Sequence, residues 1–155
     1  MVTLNVHLHE FTDERGISRL VALASNNPVA VSVCPLHLTE ERYDRTALDV
    51  IRRIVSKEGN VLGQRGETSM CFLSKHEKTD RFHENKCPYS FEPITYEDQK
   101  QFMQRGKSIL ATILDKEPEL YVPPNHFYDR NSIMAAKNLG FEYFSTYDTD
   151  INNLE

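Results

Sequence analysis

What most constrains this chain is the order of its periodicities: short β-patterned runs alternate with segments of helical spacing along most of its length. Val2, Leu4, Val6 and Leu8 alternate with polar residues, which predicts a strand over residues 2–8. Ile17, Leu20, Val21, Leu23 and Ala24 recur at helical spacing until Asn26-Asn27-Pro28. Residues 29–33, Val-Ala-Val-Ser-Val, read as a strand buried on both faces. Ala47, Val50, Ile51, Ile54 and Val55 form one helical face, stopped at Gly59. A short strand over residues 60–62 then leads into Gly63-Gln64-Arg65-Gly66.

Thr95-x-x-Asp98 is a capping-box pattern with Asp in the place of Glu. It opens a helix whose inner face would carry Phe102, Met103, Ile109, Leu110, Ile113 and Leu114. Residues 120–122 predict a fourth strand, ended by Pro123-Pro124, which cannot donate to a ladder. Asp129 or Asn131 would cap a helix through Ile133, Met134 and Leu139, closed by Gly140, before a fifth strand over residues 141–144. Strict alternation predicts an α/β fold, a parallel sheet with helical crossovers. We read residues 1–155 as a single domain, with an irregular loop over 70–94 and a polar tail over 147–155.

The net charge of −5 argues against a nucleic-acid partner, and the short cluster Arg52, Arg53, Lys57 fits a solvated helix face. No apolar run is long enough to span a membrane, and residues 1–10 lack the marks of a secretory signal. Cys34, Cys71 and Cys87 include no Cys-x-x-Cys pair, which suits free thiols in a reducing compartment and predicts a cytoplasmic location.

In parallel α/β sheets, ligands bind beyond the carboxyl ends of the strands. That rule selects His9-Glu10, Cys34–His37, Gly63–Ser69, Pro123–Tyr128 and Ser145–Asp148 as one surface. The Pro123-Pro124 turn would hold Asn125 and His126 toward a ligand, or simply form a rigid exit in which either bond could be cis. Cys34 and His37 read either as a nucleophilic pair or as a small buried thiol with an unrelated histidine. His7 reads as a structural histidine, and Asp148 with Asp150 as part of a solvated tail. Cys71, His76, His83 and Cys87 could enclose a structural zinc, although the spacing is not that of the common zinc modules. The alternative is a polar loop with incidental Cys and His.

Three segments together resemble the polysaccharide deacetylase superfamily: Arg65-Gly66-Glu67-Thr68-Ser69 after a strand, Leu120-Tyr-Val-Pro-Pro-Asn-His126, and Asn138-Leu-Gly-Phe-Glu-Tyr143. The resemblance covers about residues 1–148 in element order, and it implies a distorted (β/α) barrel that removes acetyl groups from N-acetylated sugars with a divalent metal. It places the first-strand carboxylate motif at His9-Glu10, making Glu10 and His9 the metal-side residues and general base, with His126 as acid or base. The second motif, whose two histidines complete the metal triad, reads Arg65 and Ser69 here. A hydrolase with an eroded metal site and a metal-free binding or regulatory domain both follow from that departure. So divalent metal (zinc) and no cofactor both remain open. In the second reading Arg65, Glu67, Pro123, Pro124 and Asn125 contact a sugar or other small ligand. The family's closing strand has no counterpart after Asp150, which implies an incomplete barrel whose edge needs a covering tail or self-association.

Overall fold

The computed structural model describes residues 4–8, 14–35, 38, 44–66, 95–124, 128–145 and 152–153. Strand β2 (Val29–Val33) is buried at every residue because it pairs in parallel on both edges, with β1 (Leu4–His7) and β3 (Val61–Arg65). Next to β3 lies β4 (Leu120–Val122), and next to that β5 (Tyr143–Phe144), both parallel. A final strand, β6 (Asn152–Asn153), joins β5 antiparallel and completes the order β1-β2-β3-β4-β5-β6.

The helices α1 (Glu14–Asn26), α2 (Arg45–Val55), α3 (Tyr96–Leu114) and α4 (Arg130–Asn138) cover one face of the sheet. Leu20, Ile51, Val55, Leu110 and Leu114 pack there against Val29, Val31, Val33 and Leu62. Farther along, Met103, Ala135 and Ala136 pack against Tyr121, Phe141 and Phe144. Burying each of the large side chains stabilises the fold by roughly 1.5–3 kcal/mol.

The other face of the sheet packs against itself. Ala30, Leu120 and Val122 form a small buried cluster there, with Val61 and Tyr143 at its margin. Asn5 Nδ2, on β1, donates to Ser145 Oγ, just past β5, at 3.4 Å. In a flat sheet four strand spacings would hold those strands about 19 Å apart. The sheet is therefore curled into a barrel-like trough that remains unclosed, with β1 and β6 as separate edges.

Several expectations change. The tail is no mere solvated extension, since Asn152 and Asn153 pair with Phe144 and Tyr143. Asparagine disfavours strands, so the backbone ladder on an otherwise unpaired edge is what holds them. Strand β3 runs on through Gly63 to Arg65 because partners on both sides extend its ladder. Strand β5 is shorter than expected, starting at Tyr143.

On α4, Ile133 and Met134 are exposed, while Ser132, Ala135 and Ala136 face inward. Small residues let α4 approach α3 closely, and buried Gln99 of α3 fills the polar gap by accepting from Ser132 Oγ at 2.7 Å. Only Met103, Leu110 and Leu114 of the expected α3 face are fully buried, together with Gln99 and Gly106. Val21 and Leu23 of α1 are likewise exposed.

The caps follow side-chain reach. Thr95 Oγ1 accepts from the Asp98 N–H at 3.2 Å and donates to Asp98 Oδ2 at 3.0 Å. Asp is one methylene shorter than Glu and takes the hydroxyl proton, not the Thr95 backbone N–H. Asp129 is the cap of α4, in a reciprocal box with Ser132. Asp44 caps α2 by accepting from Ala47 N–H at 2.7 Å, a cap the periodicity did not reveal. No helix among the described residues is long and apolar enough to cross a membrane.

Candidate ligand site at the strand ends

Side-chain alternation in β3 decides what reaches the carboxyl end of the sheet. Gln64 points at the helices, where its Nε2 donates to the Met103 carbonyl at 3.2 Å. Helix α3 comes this close because Gly106 has no side chain; a Cβ there would lie 2.9 Å from Gln64 Cδ and 3.0 Å from Pro35 Cγ. The Gln64 Oε1 is buried with no hydrogen-bond partner, a cost of about 1–3 kcal/mol at the edge of the site.

Gly63 and Arg65 therefore face the trough. A Cβ at Gly63 would lie 3.1 Å from Ser32 Cβ and 3.2 Å from Leu120 Cδ2, so this layer is already filled. Fully buried Ser32, with its Oγ donating to Asn5 Oδ1 at 3.4 Å, adds to the plug. A ligand meets the protein at the rim, not inside the trough.

At the rim, Arg65 stands half-buried in register with Val122. The next residue, Gly66, donates its N–H to the Val122 carbonyl at 3.0 Å and takes φ 56°, turning the chain out of the sheet. Pro123 and Pro124 follow β4 and are buried, and no described peptide bond is cis. Ser145, 8% exposed, continues the ladder by donating its N–H to the Tyr121 carbonyl at 3.0 Å. Cys34 is a buried thiol, outside any disulfide, at the end of β2.

Of the residues singled out in the sequence, Arg65, Pro123 and Pro124 are brought to one end of the sheet. His9, Glu10, His37, Glu67, Asn125 and His126 lie outside the described residues, as do Cys71, His76, His83 and Cys87. His7 is half-buried on the trough side, in register with Ser32. Asn5 and Ser32 escaped the sequence reading because only the curl of the sheet brings β1 to Ser145.

No family model and no curated protein matches this sequence. Solved structures do match. A de-N-acetylase from Aggregatibacter actinomycetemcomitans superposes with a TM-score of 0.69 at 14% identity, over 99% of this chain and 66% of that one. The chain has the polysaccharide deacetylase fold. A CE4 family pseudoenzyme from Bacillus anthracis gives 0.63 at 10% identity, over 91% of this chain and 41% of its own, so this chain spans under half that protein's length. A family 4 acetyl xylan esterase from Clostridium thermocellum, in complex with a cobalt ion, gives 0.55 at 12% identity. The parallel, incompletely closed barrel expected for a deacetylase is thus the architecture found.

The described rim does not fit a divalent metal on its β3 side. A guanidinium is cationic and has no lone pair to donate, so Arg65 repels the ion an imidazole would bind. Among the described residues, no group of three or more His, Cys, Asp or Glu could hold a metal ion.

Proposed function

We propose that this chain is a deacetylase-like protein that binds a carbohydrate or amide-bearing ligand at its strand ends without the family's carboxylate-imidazole-imidazole metal. One observation carries the reading: Arg65 stands on the trough side at the end of β3, where the family resemblance calls for a metal-binding histidine. The pseudoenzyme among the structural neighbours offers a parallel. In this role Arg65 donates hydrogen bonds, while Pro123 and Pro124 form a rigid wall and Glu67 and Asn125 supply polar contacts.

A hydrolase reading draws support from the likeness to a de-N-acetylase. There Glu10 and His9 would hold a metal or accept a proton, and His126 would serve as acid or base. Metal analysis of the protein after zinc or cobalt loading separates the two, with turnover measured on acetylated chito-oligosaccharides. The binding reading expects no stoichiometric metal and no deacetylation, whereas one bound metal with turnover lost in Glu10→Ala establishes the hydrolase. A mutant of the pseudoenzyme has restored enzymatic activity. By the same logic, Arg65→His combined with Ser69→His should raise metal affinity here. Zinc lost on substituting Cys71 and Cys87 would instead mark a structural site in the 70–94 loop.

A further inference from the structure

We infer that the buried amide of Gln64 is the binding site of one internal water molecule, which donates a hydrogen bond to Oε1 between β3 and α3. The site is separate from the rim. Gln64 is fully buried, faces the helices and not the trough, and its Nε2 donates to the Met103 carbonyl at 3.2 Å. That bond fixes which way the amide lies, because turning it over would set Oε1 against the carbonyl, acceptor against acceptor. Oε1 is thereby left buried with no hydrogen-bond partner.

The residues packed around the amide belong to the described elements and do not satisfy it. Met103, Gly106 and Pro35 carry no side-chain N–H or O–H. The N–H groups of Met103 and Gly106 fall in the interior of α3, where the helix's own carbonyls take them. Tyr121 stands in register with Gln64 and packs in the same layer as Met103, but its hydroxyl makes no bond to Oε1. A buried carbonyl oxygen in this position carries its full desolvation cost unless a donor reaches it.

The packing limits how large that donor can be. A Cβ on Gly106 would lie 2.9 Å from Gln64 Cδ and 3.0 Å from Pro35 Cγ, so the α3 side of the amide has no room for a methyl group. A ligand with a carbon skeleton does not fit such a joint. Water is a donor of one heavy atom, and it can also bond to further buried polar groups, as internal waters do. The end of β3 is then tied to α3 by a polar joint of amide, carbonyl and water.

Two measurements on the intact chain test this. A high-resolution crystal structure should show one ordered water within about 3.2 Å of Gln64 Oε1. Water oxygen-17 relaxation dispersion should count one long-lived water fewer in Gln64→Met, which keeps the length of the side chain and removes the amide. The urea midpoint supplies a sign. If water satisfies Oε1, Gln64→Met removes favourable bonds and lowers the midpoint; if the oxygen is bare, the variant removes a penalty and raises it. A raised midpoint, or an unchanged count of long-lived waters, would overturn the inference. So would a crystal structure in which Oε1 accepts from a protein group, a result that does not depend on the variant folding.

Discussion

The two ends of the curled sheet are built from different chemistry. At the amino ends of the strands, polar side chains are consumed by the fold. Asn60 Oδ1 accepts from the Val29 N–H at 2.9 Å, and its Nδ2 donates to the Ile54 carbonyl at 2.8 Å. Lys116 Nζ donates to the Val55 and Asn60 carbonyls at 2.9 and 2.7 Å and lies 3.2 Å from Glu119. One asparagine and one lysine thereby tie α2, β2, β3 and the entry to β4 together. Among the described residues at the carboxyl ends, the walls are buried proline, valine and cysteine, the turn is a left-handed glycine, and Arg65 carries a charge. In α/β barrels the first end serves stability and the second serves ligands. Here Asn60 and Lys116 do that stabilising work at the amino end.

The largest expected effect falls at the amino end. Asn60→Ala strands the buried Val29 N–H and removes one of the two bonds to the Ile54 carbonyl, which keeps the Lys57 N–H at 3.2 Å, and should cost about 2–3 kcal/mol in urea unfolding. A loss below about 1 kcal/mol would mean that water replaces both bonds and that the tie is dispensable.

A mid-sized effect tests whether the carboxyl end is wholly functional. Asp129 caps α4 and accepts from Gln99 Nε2 at 3.3 Å through each oxygen, so the cap is anchored to a buried side chain. Asp129→Ala should cost about 1–2 kcal/mol, the upper range for a helix cap. A similar loss in Gln99→Leu would assign much of it to the α3–α4 polar contact. An unchanged stability would show that the box with Ser132 alone is negligible.

Much of the architecture was legible because strands and helices differ in period, and both periods are written in residues 29–33 and 45–55. The missed features depend on neighbours. Ile133 and Met134 look like core by hydrophobicity, but the close approach of α4 to α3 turns Ser132, Ala135 and Ala136 inward. Asn152 and Asn153 have no strand signal, and the edge of β5 recruits them through the backbone. Asn60 and Lys116 are single polar residues between elements, with no periodicity to mark them. For the site, the rule that ligands bind past the carboxyl ends of strands found Arg65, Pro123 and Pro124. It could not show that the trough beneath is filled, because that follows from the fit of Gly63 between Ser32 and Leu120.

The smallest effect bears hardest on the contrast between the two ends. If Arg65 serves a ligand more than the fold, Arg65→Gln removes a half-buried charge, and the remaining amide still hydrogen-bonds. Unfolding free energy should then change by less than about 0.5 kcal/mol, or rise slightly, as happens where function has been kept at some cost in stability. The urea midpoint and slope in the absence of ligand measure this directly. A loss above about 1 kcal/mol would make Arg65 a structural tie like Asn60. The division between a stabilising end and a binding end would then fail at its most charged point.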